Sequence, residues 1–496
     1  MLQWGLKPSE KFPAPVYRDT VLAINFEDAK KYFLAPLLEI HYAHTLMLEK
    51  QGILTSAEAR TLCAALDSLD LDHIQRAIYD GTYEDLFFFI EELLTESAGE
   101  VAGKMHTARS RNDIALTLYR MQVRRAMLRT AEALLAARKA LLDLATANVE
   151  TVMPAYTHTQ PAQPTTLAHY LLAAIEFMGR DLTRVGEAFP RVNQNPLGAC
   201  AITTTGFPID RYETARLLGF EGLQVNSYGA IAAIDYVTES ASVVAVAMVS
   251  LGKLVQDMLL WSTKEFGFLR LSDAYVQSSS IMPQKRNPVA LEHARILASR
   301  ALAEAQSVLT CAHNTPFGDI NDSEDDLQPL VFTMFEDAER ALLLFAGAMS
   351  KAEVNRDELR RRAAGAFLTV TELADTLVRT EGVSFKEAHS LVAQTVAACG
   401  ADDSIDTIAK NVIRLAPEVF GRALRLSEHE VREALDPVEF VNRRTIVGGP
   451  APDAVLPELA RAQEEQKGAA LWLAAKQERM AAYPQWIREG VEALDT

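Results

Sequence analysis

The sequence is poor in cysteine and has fewer basic than acidic side chains, and each shortage excludes a class of protein. Four cysteines among 496 residues lie far apart, without the spacing of a metal site or a disulfide framework. This usage fits a reducing, cytoplasmic compartment. The formal net charge is −17. Because Lys and Arg lead binding to nucleic acid and to anionic membrane surfaces, we expect neither as a partner.

Long apolar runs are also missing. The richest stretch, Val243 to Trp261, is interrupted by Lys253 and Asp257, so we predict no membrane span. Residues 1–7 lack the apolar centre of a signal peptide, so we predict no secretory leader. The remaining composition, with 49% hydrophobic residues, is typical of a globular protein with two or three domains.

Proline is absent from three long stretches, and this absence predicts the fold class. No proline occurs in residues 37–153, 209–282 or 330–416, which are rich in Ala, Leu, Glu and Arg. Helix interiors exclude proline, so these stretches predict long helices and a mostly α fold. We expect an N-terminal helical domain at 1–105, a central long-helix bundle at 106–365 and a C-terminal helical domain at 366–496.

The segment from Ala230 to Leu260 has small and apolar residues on nearly every helical face. A helix that is apolar all round must be buried on all sides. It could lie at a subunit interface or in the core of a large monomer, and we favour the interface.

Two polar segments lie in the first half of the chain. Residues 103–113 contain Arg109, Ser110, Arg111 and Asn112 ahead of a predicted helix. These donors and the N–H groups of a helix start could hold a carboxylate, although a capping turn with solvated arginines is the alternative. Residues 156–164 place His158 after Thr157, between prolines that predict a rigid loop. Such a histidine needs an orienting acid before it can transfer protons.

The third polar segment is serine-rich and covers residues 278–288; we call it the serine loop. Its three serines precede Met282 and a proline, which predicts a loop. Lys285 and Asn287 could hold an anion there. A serine that acts as a base needs its alkoxide stabilised by donors or a cation, whereas a nucleophilic serine usually follows a GxSxG pattern, which is absent. A turn without chemistry is the alternative.

The fourth polar segment, residues 193–201, could line a pocket, but a simple turn is the favoured interpretation. Glu292 follows the serine loop on a predicted helix. It could orient a histidine from another segment, or it could be an ordinary exposed helix residue.

These segments together resemble the fumarase/aspartase superfamily and, within it, the argininosuccinate lyase family. Residues 279–288 agree with every fixed position of the superfamily pattern GSSxMPxKxNP, and Ser278 replaces its leading glycine. Residues 103–113 resemble the family segment GKxHTARSRND, and residues 153–164 are similar to MPGYTHxQxAQP with Ala155 for the glycine. The similarity extends to residues 443–452, so it covers most of the chain.

The resemblance implies a three-domain homotetramer with a central long-helix bundle and active sites built from three subunits. It implies anti elimination that releases an amine and fumarate, without a metal or organic cofactor. Ser279 would remove the Cβ proton, Lys285 would help to hold the resulting aci-carboxylate, and His158, oriented by Glu292, would be the second proton-handling group. The remaining positions implied to bind substrate are Ser110, Arg111, Asn112, Thr157, Ser280, Met282 and Asn287.

Departures from the family pattern fall where the family contacts the arginine half of its substrate. Phe87 replaces a histidine of the family pattern, Asp319 a tyrosine, Glu324 a glutamine and Leu327 a lysine. Ile234 stands where a family arginine is expected. Loss of cations and gain of acids should weaken binding of a carboxylate-bearing guanidinium group.

We therefore predict the same elimination with a different amine. The expected substrate is an aminopolycarboxylic acid such as ethylenediamine-N,N′-disuccinate. Argininosuccinate itself remains the alternative, followed by another branch of the superfamily, a hydrolase with Ser279 as nucleophile, and a non-catalytic crystallin-like protein.

Overall fold

The computed structural model describes residues 12–495. The absence of a signal peptide was predicted from residues 1–7, which lie outside the described residues. The described chain is mostly helical, as the proline-free stretches predict.

The N-terminal region is a set of short helices. Several start at side-chain caps: Thr55 and Glu58 form a reciprocal capping box, and Asp85 accepts a hydrogen bond from the backbone N–H of Phe88. Such caps satisfy N–H groups that a helix leaves unpaired. The helices are Pro15–Tyr17, the π-helical Arg18–Leu22, Ala23–Tyr32, Leu34–Lys50, Ser56–Asp67, Leu71–Arg76, Leu86–Ala98 and the 3-10 helix Gly99–His106.

Five long helices form the centre of the molecule. They are the first long helix Arg111–Thr146, the second Leu167–Val192, the third Asp235–Trp261, the fourth Val289–Ala312 and the fifth Gln328–Ser350. The first packs against the second and the fifth, and the fourth packs between the third and the fifth. Shorter helices between them are Arg211–Leu217, Ser227–Ala232 and the 3-10 turns Asp273–Tyr275 and Asn321–Ser323.

The third long helix is the apolar segment noted in the sequence. Among residues 12–495 it is the one helix long and apolar enough to cross a membrane by length and composition, and 44% of its most apolar window is buried in the chain. It packs along the second and fourth long helices, so it is a bundle helix and not a membrane span. Val246 and Val249 on its outer face remain 42% and 49% exposed.

Strands are few and short. Within residues 12–495 they form four two-stranded sheets: Val152–Thr157 with Gln160–Thr166, Gln194–Asn195 with Gly222–Leu223, Leu269–Arg270 with Glu353–Val354, and Gln277–Ser278 with Arg286–Asn287. The first is a hairpin in a segment expected to be a loop. Its prolines have no backbone N–H to donate. They fit because the sheet has only two strands, so the outer edge of each strand has no neighbouring strand to bond.

The last part of the chain contains a second, smaller apolar core between Leu373 and Leu435. Its region comprises Arg356–Ala363, Val370–Glu381, Phe385–Cys399, Ile405–Phe420, Glu428–Ala434 and Pro437–Asn442. The C-terminal helix Pro452–Ala493 returns to the first and second long helices. There the Tyr483 hydroxyl donates a 2.7 Å hydrogen bond to Glu39. The domain boundaries at 105 and 365 stay predictions.

Candidate active site

The segment around Ser110 starts the first long helix, as the sequence predicts. Ser110 is the N-cap: its hydroxyl accepts from the backbone N–H of Asn112, and its own N–H donates to Asp113 at 2.9 Å. Asn112 donates from Nδ2 to the carbonyl of Ala201 at 3.1 Å. The helix start therefore presents Ser110, Arg111 and Asn112 on one short stretch of backbone.

Arg111 is held by two carboxylates of the N-terminal region. Its guanidinium donates to Asp85 at 2.7 Å and to Glu84 at 2.8 Å, and it lies 4.9 Å from the ring centre of Phe88. A substrate carboxylate that binds Arg111 must share the guanidinium with these two acids.

Asp113 joins the start of the first long helix to the turn at residues 193–201. Its buried carboxylate accepts hydrogen bonds from the N–H groups of Ser110, Gly198 and Cys200 at 2.8–2.9 Å. Burial raises the pKa of Asp113 to about 6, although the three N–H groups act to lower it. Gly198 has φ +88°, and a Cβ there would come within 2.6 Å of the Arg211 side chain. The turn therefore braces the start of the first long helix, and none of its residues lines the cavity beside that helix.

Replacing Asp113 with alanine is expected to lower the free energy of unfolding by about 3 kcal/mol or more, because three buried N–H groups lose a charged acceptor. Chemical denaturation measures this change. Asp143→Ala, at an exposed pair with Lys139 on the same helix, is the control and should change stability by less than about 0.5 kcal/mol. Equal losses in both variants would contradict the anchoring role of Asp113.

Two buried histidines lie behind this segment. The Arg109 guanidinium donates to Nδ1 of His41 at 2.8 Å, and Nε2 of His44 donates to the carbonyl of Thr107 at 2.9 Å. Burial lowers the pKa of His44 to about 3 and that of His41 well below its usual value. Both rings are therefore neutral; His44 holds the backbone at Thr107, and His41 positions the Arg109 side chain.

A cavity of about 400 Å³ opens beside the helix start. The predicted substrate-binding residues Arg111 and Asn112 line it together with three of the positions that depart from the family pattern, Phe87, Asp319 and Glu324. The buried Tyr119 completes this wall and donates from its hydroxyl to Asp325 at 2.9 Å. Among the described residues that line the cavity, Arg111 is the only cation, and six are acids: Glu84, Asp85, Asp319, Glu324, Asp325 and Asp326.

The serine loop forms a narrow hairpin. Ser278 pairs with Arg286 and Gln277 with Asn287. Arg286 fastens the hairpin by donating to the carbonyl of Leu271 at 2.8 Å and by pairing with Asp273. Two short strands therefore flank a segment that was expected to have no regular structure.

Inside this hairpin, the hydroxyl oxygen of Ser279 has two backbone donors. It accepts from the N–H of Ile281 at 3.3 Å and of Met282 at 3.1 Å. Lys285 and Ser280 are exposed, as is Met282, whereas Asn287 is half-buried. The two N–H groups favour negative charge on the Ser279 oxygen.

Thr157 and His158 lie at the exposed tip of the first hairpin, where His158 has φ +50°. Glu292 is exposed in the first turn of the fourth long helix. Among the contacts of residues 12–495, none joins His158 to Glu292, and neither residue lines the cavity; Ser279 and Lys285 do not line it either. One chain thus carries the predicted site residues in three separate places.

Similarity to known proteins decides the family. Residues 47–303 match a lyase family model, and residues 367–442 match the argininosuccinate lyase C-terminal model. The chain is 41% identical over 462 residues to argininosuccinate lyase 2 of Agrobacterium fabrum, which covers 90% of this chain and 89% of the relative. The chain belongs to the argininosuccinate lyase family. It is also 37% identical over 442 residues to argininosuccinate lyase of Methanosarcina acetivorans, over 88% of each chain.

Solved structures agree with this membership. EDDS lyase in complex with formate aligns with a TM-score of 0.86 and 33% identity, over 97% of this chain and 96% of that one. A fumarate lyase from Mesorhizobium sp. BNC1, at 20% identity and a TM-score of 0.71, covers 92% of this chain and 100% of that one and shows the shared fold alone. This member of the argininosuccinate lyase family is therefore a fumarate-releasing carbon–nitrogen lyase with the fumarase/aspartase fold.

Within this family member, sequence reasoning missed the residues that support the site. Glu84 and Asp85 had no predicted role, and the roles of Asp113, His41 and His44 had no signal in the spacing. Leu327 is 1% exposed and packs in the main core, which is why the loss of a lysine there leaves no gap.

Proposed function

We propose that this lyase cleaves an N-substituted L-aspartate whose amine half is a diamine, an aminopolycarboxylic acid of the ethylenediamine-N,N′-disuccinate type. The products are fumarate and the free amine, and the reaction is reversible. The cavity carries the proposal, because two of the six acids that line it, Asp319 and Glu324, replace a tyrosine and a glutamine of the family pattern, and Phe87 replaces its histidine. The ammonium groups of a diamine are attracted to this lining.

In the proposed mechanism, Ser279 takes the Cβ proton as an alkoxide. The N–H groups of Ile281 and Met282 support its negative charge. Lys285 and Asn287 hold the substrate carboxylate as its charge grows, which is the larger part of the barrier because a Cβ proton is weakly acidic. The C–H electron pair forms the double bond of fumarate, and the C–N pair leaves with nitrogen.

Further binding roles follow the resemblance. Ser110, Arg111 and Asn112 would hold a substrate carboxylate, together with Thr157, Ser280 and Met282. His158, oriented by Glu292, would act as the second proton-handling residue. No metal or organic cofactor is part of the proposal.

The assembly is part of the proposal, because the three groups of site residues are separate in one chain. A homotetramer would bring the serine loop, the first hairpin and the cavity together from different subunits. The exposed face of the third long helix, with Val246, Val249 and Leu260 each more than 40% exposed, supports burial between subunits. A cytoplasmic location likewise stays a prediction.

Argininosuccinate is the second candidate substrate. The 41% identity to argininosuccinate lyase 2 of Agrobacterium fabrum favours it, and the parts assigned to the fumarate half are the same for either substrate. The two candidates differ only at the amine half, so the choice of amine separates them.

Incubation of the purified protein with fumarate and separate amines tests the proposal. We expect loss of fumarate absorbance to be at least about tenfold faster with ethylenediamine than with arginine, because one lost charge-assisted contact already accounts for that factor. Arginine as the best partner would overturn the substrate preference. No turnover with ethylenediamine, arginine or simple amino acids would overturn this reaction, and a covalent acyl-enzyme seen by mass spectrometry would indicate a hydrolase.

A further inference from the structure

Two carboxyl groups meet in the cavity at positions where the family pattern has neither. Asp319 stands for a tyrosine and Glu324 for a glutamine, and their side chains lie within hydrogen-bonding contact of each other. Two carboxylates this close repel each other, so such a pair tends to keep one proton.

The surroundings of Glu324 strengthen this tendency. Its Oε1 is buried and has no donor among residues 12–495, so an ionised carboxylate would be left unsatisfied there. Burial, the contact with Asp319 and the negative charges of Asp319 and Asp325 raise the pKa of Glu324 well above its usual range, and Arg111 offsets only part of this effect. Burial and the neighbouring negative charge therefore favour retention of a proton by Glu324.

The other charged groups around the pair come from three elements. Glu84 and Asp85 precede the helix Leu86–Ala98 and engage the guanidinium of Arg111 at the start of the first long helix. Asp325 accepts from Tyr119, and Asp326 follows it along the cavity wall. With Arg111 already paired, the Asp319–Glu324 pair has no free cation beside it among the residues that line the cavity.

We propose that the Asp319–Glu324 pair is the cation subsite of the amine half, and that it releases its shared proton when a diammonium ligand binds. The inference rests on the proposed function and narrows the amine to one with two ammonium groups. A bound dication replaces the proton as the partner of the two carboxylates, so one proton goes to solvent for each ligand bound. Amine affinity should then rise with pH, by up to about tenfold per unit, until the free pair has lost its proton.

Titration calorimetry of the whole protein with 1,4-diaminobutane tests this proton release. Both ammonium groups of this probe stay charged around neutral pH, so the ligand itself does not titrate. We expect the observed heat to depend on the ionisation enthalpy of the buffer, and the affinity to rise with pH. Binding without proton release, or no binding at any pH, would overturn the inference. Turnover with some amine would still support the proposed lyase function in that case.

Three variants locate the proton. Glu324→Gln should abolish the proton release and weaken binding at least about tenfold, because an amide cannot ionise. Asp319→Asn removes the neighbouring charge that helps Glu324 to keep its proton, so proton release should shrink and the pH dependence should move to lower pH. Asp322→Asn, on the same loop but outside the cavity lining, should behave as the unmodified protein. Proton release that persists in Glu324→Gln, or is lost in Asp322→Asn, would contradict the assignment.

Discussion

Replacing Ser279 with alanine is expected to lower kcat/KM by at least about a thousandfold, within the range that a general base contributes. The reason is geometric as well as chemical. Ser279 is the serine whose oxygen faces the N–H groups of Ile281 and Met282, so its alkoxide has support that alanine cannot use. Initial rates of fumarate release from ethylenediamine-N,N′-disuccinate measure the effect, and analytical ultracentrifugation should show an unchanged assembly.

Ser278 provides the matched control. It lies one residue earlier in the same hairpin, and its backbone pairs with Arg286. Ser278→Ala removes a hydroxyl of the same kind from the same loop and should keep the rate within about threefold, because a surface substitution of this size perturbs little. If both variants lost activity equally, the loss would reflect the hairpin and not the base. Retained activity in Ser279→Ala would remove Ser279 from the base role.

Local rules predicted much of the fold. The three stretches without proline contain the first and third long helices and most of the fifth, whereas the second and fourth lie outside them. Ser110 with Asp113 forms the capping box that starts the first long helix. The hairpin that contains His158 escaped prediction because its prolines argued against strands. Pro154 pairs with Pro164. Proline has no N–H to donate, but in a two-stranded ribbon the outer edge of each strand has no neighbouring strand, so no hydrogen bond is lost there.

The site was predictable only in part, for a different reason. Ser279 and Lys285 could be predicted because they belong to one short motif and lie close together in the sequence. Residues that act through three-dimensional contact do not: Asp113 meets the N–H of Gly198 across 85 positions, and Arg111 meets Asp85 across 26. Spacing carries no information about such pairs, which depend on how the helices pack.

The Asp319–Glu324 pair could be predicted in part. Both residues stand out in the sequence as departures from the family pattern. Their contact, and the burial that favours a shared proton, follow only from the turn that Asn321–Ser323 forms between them.

A mixture of two inactive variants is expected to recover activity. His158→Asn leaves the serine loop intact, and Ser279→Ala leaves the hairpin tip intact. If each active site takes these two residues from different subunits, random tetramers from an equal mixture contain both intact residues in roughly a quarter of their sites. Co-expression of the two variants, followed by rate measurement, should therefore give about a quarter of the unmodified activity. His158 is exposed at a hairpin tip, so its replacement is not expected to prevent folding.

The comparison that decides the arrangement uses the double variant His158→Asn/Ser279→Ala, co-expressed with the unmodified chain. If one chain supplied both residues to a site, this mixture would keep about half of its activity, whereas the two single variants would recover none. If different chains supply them, both mixtures should converge on the same quarter. Recovery in the first mixture therefore tests whether His158 and Ser279 of one site come from different chains, independently of which amine the enzyme uses.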